Sequence, residues 1–247
     1  MSRLIKSKRS INRPVVKNVK AILFDSGHVL NRPKTGDWFI PPKFNEIMDT
    51  SKINTKSIFY IYSKFRAKRY LKNNHDIKTE SEEYILFKKF YSILLNKYVY
   101  ADINDHIISI LAEDTVYNDE KFVFFEDVEK SIVNLSNNYL LGIVSSTWPS
   151  LKRVFRNKGL NDYFSTFIMS SLYNEYDSKE ILLQIALNEL KIEPNEAIFI
   201  DDHDKHLITA EKLGIIPIKI DRYNKKQRNT FFTIHSLKEL KESLINF

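Results

Sequence analysis

The 247-residue sequence contains no cysteine and only five glycines. The absence of cysteine excludes disulfide bonds and thiolate metal sites, and it is compatible with an intracellular protein. Nowhere does the chain reach the roughly 18 consecutive apolar residues that a membrane-spanning helix needs. The first residues also lack the apolar segment of a secretory signal. We therefore expect a cytoplasmic protein that has no membrane partner.

The composition is that of a folded globular protein, with 43% hydrophobic and 28% charged residues, and the length is sufficient for a large core. The formal net charge is +7. Residues of both signs are spread along the chain, so nucleic acid is not the expected partner. Residues 1–18 contain basic side chains and no acidic one, and we expect a flexible segment there. The alternative is a nucleic-acid-binding arm, whose affinity would fall steeply with salt.

An apolar run of strand length, from Val19 to Phe24, ends at the carboxylate of Asp25. A nearly continuous apolar run is typical of a strand that is buried on both faces of a parallel sheet. Open α/β sheets place their active sites at the carboxyl ends of such strands. We therefore interpret Asp25 as the reactive group of the protein.

Strand-like and helix-like patterns alternate from about residue 119 onward. The predicted strands cover residues 139–144, 166–169, 197–200 and 216–220. The predicted helices cover residues 126–136, 149–158, 178–190 and 236–244, and a further helix ends near residue 213. Alternation of this kind predicts an α/β fold with a Rossmann-like, doubly wound parallel sheet and right-handed crossovers.

A mostly helical stretch interrupts this alternation between the first strand and the rest of the sheet. Three prolines and a glycine predict a loop over residues 31–42. Thr79 followed by Glu82 is the pattern of a helix-capping box, and Asp102 is the predicted N-cap of a later helix. The predicted organisation is a basic segment (1–18), a core (19–30 and 119–247) and an inserted helical domain (31–118).

One predicted helix of the insertion has apolar residues at the spacing i, i+3, i+4, i+7, which is the pattern of one helix face. These residues are Ile58, Ile61, Tyr62 and Phe65. We expect this stripe to pack into the core of the insertion. The same helix carries the cations Lys64, Arg66, Lys68 and Arg69. They form either a solvated helix face or a set of contacts for an anionic substrate.

Three predicted strands end in polar residues. Asp25, Ser145 and the pair Asp201-Asp202 each follow an apolar run. Because the carboxyl ends of parallel strands lie at one edge of the sheet, we expect these groups to converge. Carboxylates and phosphate oxygens are ligands that Mg²⁺ prefers. The sequence therefore predicts a site for magnesium and phosphate at this edge.

In order and spacing, these residues resemble the motifs of the haloacid dehalogenase-like (HAD) hydrolases. Asp25 matches the nucleophile of the first motif, and Ser145 matches the phosphate-binding residue of the second. The apolar run that ends in Asp201 and Asp202 resembles the fourth motif. The insertion at residues 31–118 lies where one subfamily carries its α-helical cap. The resemblance implies a Rossmann-like core with an inserted cap domain.

The resemblance also implies a covalent mechanism. Asp25 would attack phosphorus to form an aspartyl-phosphate, which water then cleaves. Ser145 and Ser146 would bind the transferring phosphoryl group. The implied ligands of Mg²⁺ are Asp25, the backbone carbonyl of Gly27, Asp202 and the supporting Asp201.

The third motif of the family is a lysine that neutralises the nucleophile and the phosphate. Lys179 opens the predicted helix before the Asp201 strand and is our candidate for this catalytic and phosphate-binding role. The family usually follows this lysine with proline, which is absent here, and an ungapped match falls on Asp177 instead. The alternative is that Lys179 is an ordinary first-turn lysine on a solvated helix face.

Gly27 departs from the family pattern, because the usual first motif is D-x-D and its second aspartate is the acid–base catalyst. The backbone of Gly27 can still bind a metal, but it cannot protonate a leaving group. Loss of a general acid–base typically costs about 10²- to 10⁴-fold in rate. Either a water, His28 or a cap residue substitutes, or the protein is a phosphonate or haloacid hydrolase, or it has lost catalysis and kept binding.

The leading hypothesis is a Mg²⁺-dependent HAD-like phosphatase of a small phosphorylated metabolite. The alternative is a catalytically impaired binding or regulatory protein with the same fold, because Gly27 replaces the acid–base aspartate. The sequence does not predict the substrate or the oligomeric state.

Overall fold

The computed structural model describes residues 18–175, 178–224 and 230–240. The described strands are β1 (Ala21–Phe24), β2 (Asn31–Pro33), β3 (Phe122–Phe124), β4 (Leu140–Ser145), β5 (Thr166–Met169), β6 (Ala197–Asp201), β7 (Ile216–Ile220) and β8 (Thr233–Ile234). The described α-helices are α1 (Phe44–Ile47), α2 (Ile58–Asn73), α3 (Glu80–Leu94), α4 (Asp105–Val116), α5 (Val128–Ser136), α6 (Ser150–Asn157), α7 (Lys179–Leu190) and α8 (Asp204–Leu213). None of these helices is both long and apolar enough to cross a membrane.

The core is a six-stranded sheet in the order β5-β4-β1-β6-β7-β8, and every neighbouring pair is parallel. The chain leaves β1 to build one half of the sheet through β4 and returns to its other side through β6. The carboxyl end of β1 is therefore a topological switch point, where open α/β sheets bind their ligands. The predicted Rossmann-like α/β fold is confirmed.

Strand β1 is fully buried because helices cover both faces of the sheet. Ile22 and Phe24 point into the core that α5 and α6 share, whereas Leu23 points into the core formed by α7 and α8. Successive side chains of a strand alternate between faces. An uninterrupted apolar run is consequently what a strand in this position requires.

The boundaries of the sheet strands agree with the predicted ones to within one residue at β4, β5, β6 and β7. Strand β8 was not predicted, since its two residues are too short for any periodicity. The predicted helix at residues 236–244 is described only as far as residue 240, with residues 238–240 helical. The basic segment at 1–18 lies outside the described residues except for Asn18.

The predicted loop over residues 31–42 contains a strand. β2 pairs antiparallel with β3, with Asn31 opposite Phe124 and Pro33 opposite Phe122. A proline is tolerated in such a two-stranded ribbon because it has no inner neighbour that needs its missing N–H. The ribbon carries the chain from the sheet into the helical insertion and back.

The helical insertion has a core of its own, built from α2, α3 and α4. At the start of α3, the Thr79 side chain accepts from the N–H of Glu82 and the Glu82 carboxylate accepts from the N–H of Thr79, so the capping box is present. The predicted N-cap of α4 is wrong by two residues. Asn104 caps the helix by accepting from the N–H of Ile107 (3.0 Å), while Asp102 forms an ion pair with Lys52.

The predicted inward stripe of α2 is also wrong. Ile58, Ile61, Tyr62 and Phe65 are all exposed. The opposite face is buried, through the residues Ser63, Ala67 and Leu71. These residues recur every four positions and include two small side chains, which allow α2 to pack closely against α3. Both faces of the helix thus carry an apolar stripe, and the bulkier one faces outward.

Polar contacts join the insertion to the sheet domain. Glu83 of α3 accepts the N–H of Ser150 (2.9 Å) and its hydroxyl (2.7 Å) at the start of α6. Burial raises the pKa of Glu83 to about 7, although Lys121 and Ser150 favour its charged form. Arg153 of α6 donates to Glu80 of α3 (2.8 Å). These contacts hold α3 over the edge of the sheet that carries the predicted site.

Candidate active site

Asp25 follows β1 directly and is held by the backbone on both sides. Its N–H donates to the carbonyl oxygen of Ile200 in β6 (3.0 Å). After it, the Ser26 carbonyl accepts the N–H of Leu30 (2.9 Å) and of Asn31 (3.1 Å), which closes a tight loop. The amide of Asn31 also donates to the Ser26 hydroxyl (2.8 Å). The loop therefore fixes where the Asp25 side chain begins.

Lys179 lies against Asp25, although 154 residues separate them. Its Nζ is 3.0 Å from Oδ1 of Asp25 and 2.9 Å from the carbonyl oxygen of Val144 at the end of β4. Ser178 accepts the N–H of Ile181 and so caps the first turn of α7, where Lys179 stands. Lys179 is only 4% exposed, which rules out the solvated-face alternative. The competing match, Asp177, lies outside the described residues.

Asp201 is the last residue of β6, and Asp202, which follows it, has a different environment. Asp201 is completely buried, and its carboxylate accepts from the N–H of His203 (2.7 Å) and contacts Nδ1 of His206 (2.8 Å). Asp202 is partly exposed and lines a cavity. Burial raises the pKa of Asp202 to about 6; the charges of Asp201 and Asp25 act in the same direction and His203 opposes them. Asp201 is thus fixed by its neighbours, while Asp202 faces solvent and any bound ion.

Asp25, Asp201 and Asp202 form one cluster, in which an oxygen of each lies within 4.8 Å of the others. Like charges this close repel each other, and the raised pKa of Asp202 reports part of that repulsion. Carboxylates that surround a solvent-accessible point fit a small divalent cation such as Mg²⁺, which keeps several waters as ligands. The donor set of this cluster therefore suits the predicted metal.

Ser145 is the last residue of β4 and Ser146 follows it, next to the contact of Lys179 with the Val144 carbonyl. Ser145 is buried at the end of the strand, in register with Met169 of β5. Ser146 is exposed, and both residues line the same cavity as Asp25, Lys179 and Asp202. The fold therefore brings together the residues that were predicted at separate strand ends.

The cavity has a volume of about 280 Å³ and lies between the sheet edge and the helical insertion. It is lined by the aromatic residues Trp38, Phe39, Phe122 and Trp148, and by the buried charged residues Lys121 and Glu83. Burial lowers the pKa of Lys121 to about 8, against the effect of the nearby Glu83 and Asp114 carboxylates. The cavity therefore combines the charged groups around Asp25 with large aromatic side chains and a second pair of buried charges.

A family model for haloacid dehalogenase-like hydrolases matches residues 45–220, which is more than half of the chain. The chain belongs to this family. The matched range begins after Asp25, so the match does not include that residue of this HAD hydrolase. No curated protein sequence matches the chain significantly.

Solved structures share the fold over almost the whole chain. A HAD phosphatase from Thermococcus onnurineus is 21% identical with a TM-score of 0.62, over 92% of this chain and 98% of that one. A 2-haloacid dehalogenase from Pseudomonas syringae pv. Tomato is 17% identical with a TM-score of 0.64, again over 92% and 98%. A magnesium-bound HAD hydrolase from Bacillus subtilis is 15% identical with a TM-score of 0.64, over 94% and 100%. At these identities the likeness shows the fold and no particular reaction.

Gly27 of this HAD hydrolase lies beneath the indole ring of Trp38. A Cβ atom at Gly27 would be 3.4 Å from Cζ2 and 3.8 Å from Cε2 of that ring. Trp38 is held in turn by Phe122 and by His28, whose ring centroids are 5.5 and 5.9 Å from its own. The space beside position 27 is therefore bordered by an aromatic side chain that packs on both sides.

His28 lines the cavity, in a left-handed backbone conformation with φ of +58°. Such a conformation is uncommon for a residue with a side chain. Two contacts hold it: the N–H of His28 donates to the Asn31 carbonyl (2.6 Å), and Nδ1 lies 3.2 Å from the Tyr223 hydroxyl. The ring is thus fixed between Trp38 and Tyr223 at the rim of the site.

Sequence reasoning missed Trp38, Lys121 and Glu83. Trp38 falls in the stretch that predicted a loop, and nothing local indicates that it turns back onto Gly27. Lys121 and Glu83 are single charged residues in sequences rich in charge. Their burial is decided by the docking of α3 on the sheet domain, which is a contact between distant parts of the chain.

Proposed function

We propose that this HAD hydrolase is a magnesium-dependent phosphatase that acts on a small phosphorylated metabolite through an aspartyl-phosphate on Asp25. The single observation that carries the proposal is the group around Asp25: a buried lysine 3.0 Å from its carboxylate, and two further carboxylates within 4.8 Å. A cation and a metal-binding cluster beside one nucleophile suit a substrate that bears several negative oxygens. A cavity of about 280 Å³ suits a small molecule.

In the proposed reaction a carboxylate oxygen of Asp25 attacks phosphorus, and the bond from phosphorus to the leaving oxygen breaks. The ammonium group of Lys179 holds the Asp25 carboxylate in position and stabilises the negative charge of the phosphoryl oxygens. The hydroxyl of Ser145 and the exposed Ser146 are placed to bind the same oxygens. Water then attacks the aspartyl-phosphate, which releases phosphate and restores Asp25.

A bound Mg²⁺ would be held by Asp25, Asp202 and the backbone carbonyl of Gly27, with Asp201 in support. It would supply positive charge that offsets the repulsion between the carboxylates and the phosphate. Asp201 supports this arrangement from a fixed position, because both of its oxygens already have partners in the protein.

The first test is hydrolysis of p-nitrophenyl phosphate by the purified protein. We expect turnover with Mg²⁺, loss of turnover on addition of EDTA, and recovery when excess Mg²⁺ is restored. A matched assay measures chloride release from 2-chloropropionate, which we expect to be absent. Chloride release that needs no metal would instead identify a dehalogenase, in which the same carboxylate attacks carbon. Failure to turn over any phosphorylated metabolite in a broad set would favour the impaired binding protein.

A second test concerns the missing acid at Gly27. We expect Gly27→Asp alone to leave the hydrolysis of an alkyl phosphate nearly unchanged, because the indole of Trp38 restricts where the new carboxylate can lie. The double variant Gly27→Asp/Trp38→Ala removes this restriction. Since a positioned acid–base contributes about 10²- to 10⁴-fold, we expect at least a tenfold gain in kcat from the double variant.

Trp38→Ala alone is the control for the loss of the indole. The alkyl substrate is informative because its leaving oxygen is strongly basic, whereas p-nitrophenolate leaves without protonation. A larger gain for the alkyl phosphate would show that the new carboxylate protonates the leaving oxygen, and an equal gain would show that it activates water in the hydrolysis that both substrates share. No gain for either substrate would contradict the assignment.

A further inference from the structure

The outward face of α2 is an exposed apolar surface on the helical insertion. We use the name α2 patch for the residues Ile58, Phe59, Ile61, Tyr62, Phe65 and Tyr98. Their exposed fractions run from 54% to 80%. Phe59 and Tyr98 stack on each other with ring centroids 5.7 Å apart, so the patch is continuous from the helix to the segment after α3. Single exposed apolar residues are ordinary, but six large ones side by side mark an interaction surface.

Five cations lie beside this patch or at its C-terminal end, and they are the second observation that indicates an interaction surface. Lys64, Arg66, Lys68, Arg69 and Lys72 are all exposed, and α2 contains no acidic residue. Within the part of the chain that the structure describes, no carboxylate lies within ion-pair distance of any of them. The described residues therefore leave the charge of this face uncompensated.

The cations have a definite place relative to the apolar stripe. With about 3.6 residues per helical turn, Lys64 and Lys68 lie on one side of the stripe and Arg66 lies on its other side. Arg69 and Lys72 continue the stripe toward the end of α2. Arg66 and Lys64 also lie over the rings of Tyr62 and Tyr60, at 5.8 and 6.0 Å from the centroids. The outward face of α2 thus combines large apolar side chains with long cationic ones, which can reach lipid headgroups while the apolar side chains enter the interface.

The positive charge of this face distinguishes between the partners that could cover the α2 patch. A second copy of the chain would bring the same five cations to the contact, and the N-terminal segment 1–17 is itself basic without an acidic residue. Both would add repulsion, while an anionic surface would neutralise the cations. We propose that the α2 patch docks the protein on an anionic lipid surface, with its apolar side chains at the boundary between headgroups and acyl chains and its cations at the lipid phosphates.

Docking through the α2 patch does not involve the active-site cavity. No residue of the α2 patch and none of the five cations lines the active-site cavity, so lipid binding and catalysis use different residues. The expectation of no membrane partner rested on the lack of a spanning segment. A helix that lies on the surface needs none, because its buried face remains packed on the protein.

The test is co-sedimentation of the full-length protein with vesicles. We expect binding to vesicles of phosphatidylcholine mixed with phosphatidylserine, little binding to phosphatidylcholine alone, and weaker binding as salt rises. Phe59→Ser/Phe65→Ser should lower the vesicle affinity at least about tenfold through lost apolar burial. Arg69→Glu/Lys72→Glu should lower it at least about tenfold through lost attraction.

Matched controls make the same kinds of substitution, Lys to Glu and apolar residue to Ser, elsewhere on the surface. Lys130→Glu/Lys212→Glu alters the net charge equally on α5 and α8, and Ile208→Ser removes an exposed apolar residue of α8. Both should bind vesicles as the unchanged protein does, and all variants should keep its melting temperature. Equal loss in the controls, or equal binding to neutral vesicles, would overturn the proposal. So would a dimer in light scattering that the Phe59/Phe65 variant dissociates, or binding to poly-glutamate without binding to vesicles.

Discussion

Replacing Asp25 with asparagine is expected to reduce the Mg²⁺-dependent hydrolysis of p-nitrophenyl phosphate by at least about 10³-fold, since loss of a nucleophile removes the covalent step. The amide has nearly the shape of the carboxylate but is a poor nucleophile. It also lacks the negative charge that pairs with Lys179 at 3.0 Å. The measurement is kcat by steady-state assay, together with mass spectrometry of the denatured protein after brief exposure to substrate. The unchanged protein should show the mass of one added phosphoryl group, and the variant should not.

Asp162→Asn is the matched control for this change. Asp162 lies in the short turn before β5, and it does not line the cavity. This variant should keep both the rate and the phosphoryl adduct. Turnover that survives in Asp25→Asn would contradict the nucleophile assignment. A lost rate with a normal adduct would mean that Asp25 acts after the covalent step and that another residue is the nucleophile.

The sheet was predictable because its signals are local. Each strand of four or more residues is a short, mainly apolar run that polar residues follow, and a helix-ending glycine precedes two of these strands. Gly214 at φ +87° and Gly159 at φ +73° mark where a helix has just ended, as glycine can adopt the left-handed conformation there. Strands β2 and β8 carry no such signal, since two or three residues cannot establish a period.

The face of α2 could not be predicted, because periodicity alone does not say which of two apolar stripes is buried. The stripe with larger side chains is the stronger signal in the sequence. Packing selected the other stripe, because Ser63 and Ala67 let the backbones of α2 and α3 approach closely. The choice depends on what the helix meets, and that information lies in α3 rather than in α2.

The residues of the candidate site also fall into those that the sequence predicts and those that it does not. Asp25, Ser145, Asp201 and Asp202 were predictable because the carboxyl ends of parallel strands share an edge, and one topological rule brings them together. Trp38 and Glu83 were not, because their positions depend on how the insertion docks. The ribbon of β2 and β3 and the contact of Glu83 with Ser150 set that docking. The side of the cavity that Trp38 and Glu83 line is therefore the part that motifs describe least.

Lys179→Met is the second change with a large expected effect. Removal of one charged stabilising group from an active site typically costs about 10²- to 10³-fold in kcat. Lys179 is buried, and its Nζ lies 3.0 Å from Asp25 and 3.9 Å from Asp201. Methionine keeps the length of the side chain and its packing, and it removes the positive charge. We expect kcat on p-nitrophenyl phosphate to fall by this factor. We also expect a lower melting temperature, because the variant leaves Asp25 and the buried Asp201 without the cation that lies beside them.

Two further measurements separate catalysis from support of the fold. Lys205→Met changes an exposed lysine of α8 and should keep the full rate. The Mg²⁺ concentration at half-maximal rate should not rise in Lys179→Met, because removal of a cation beside Asp25 and Asp201 leaves the carboxylates more attractive to a divalent ion. If Lys179→Met kept kcat and lost only thermal stability, the lysine would serve to pair buried carboxylates. If it kept kcat but needed far more Mg²⁺, its role would be to orient Asp25 for the metal rather than to stabilise charge on the phosphoryl group.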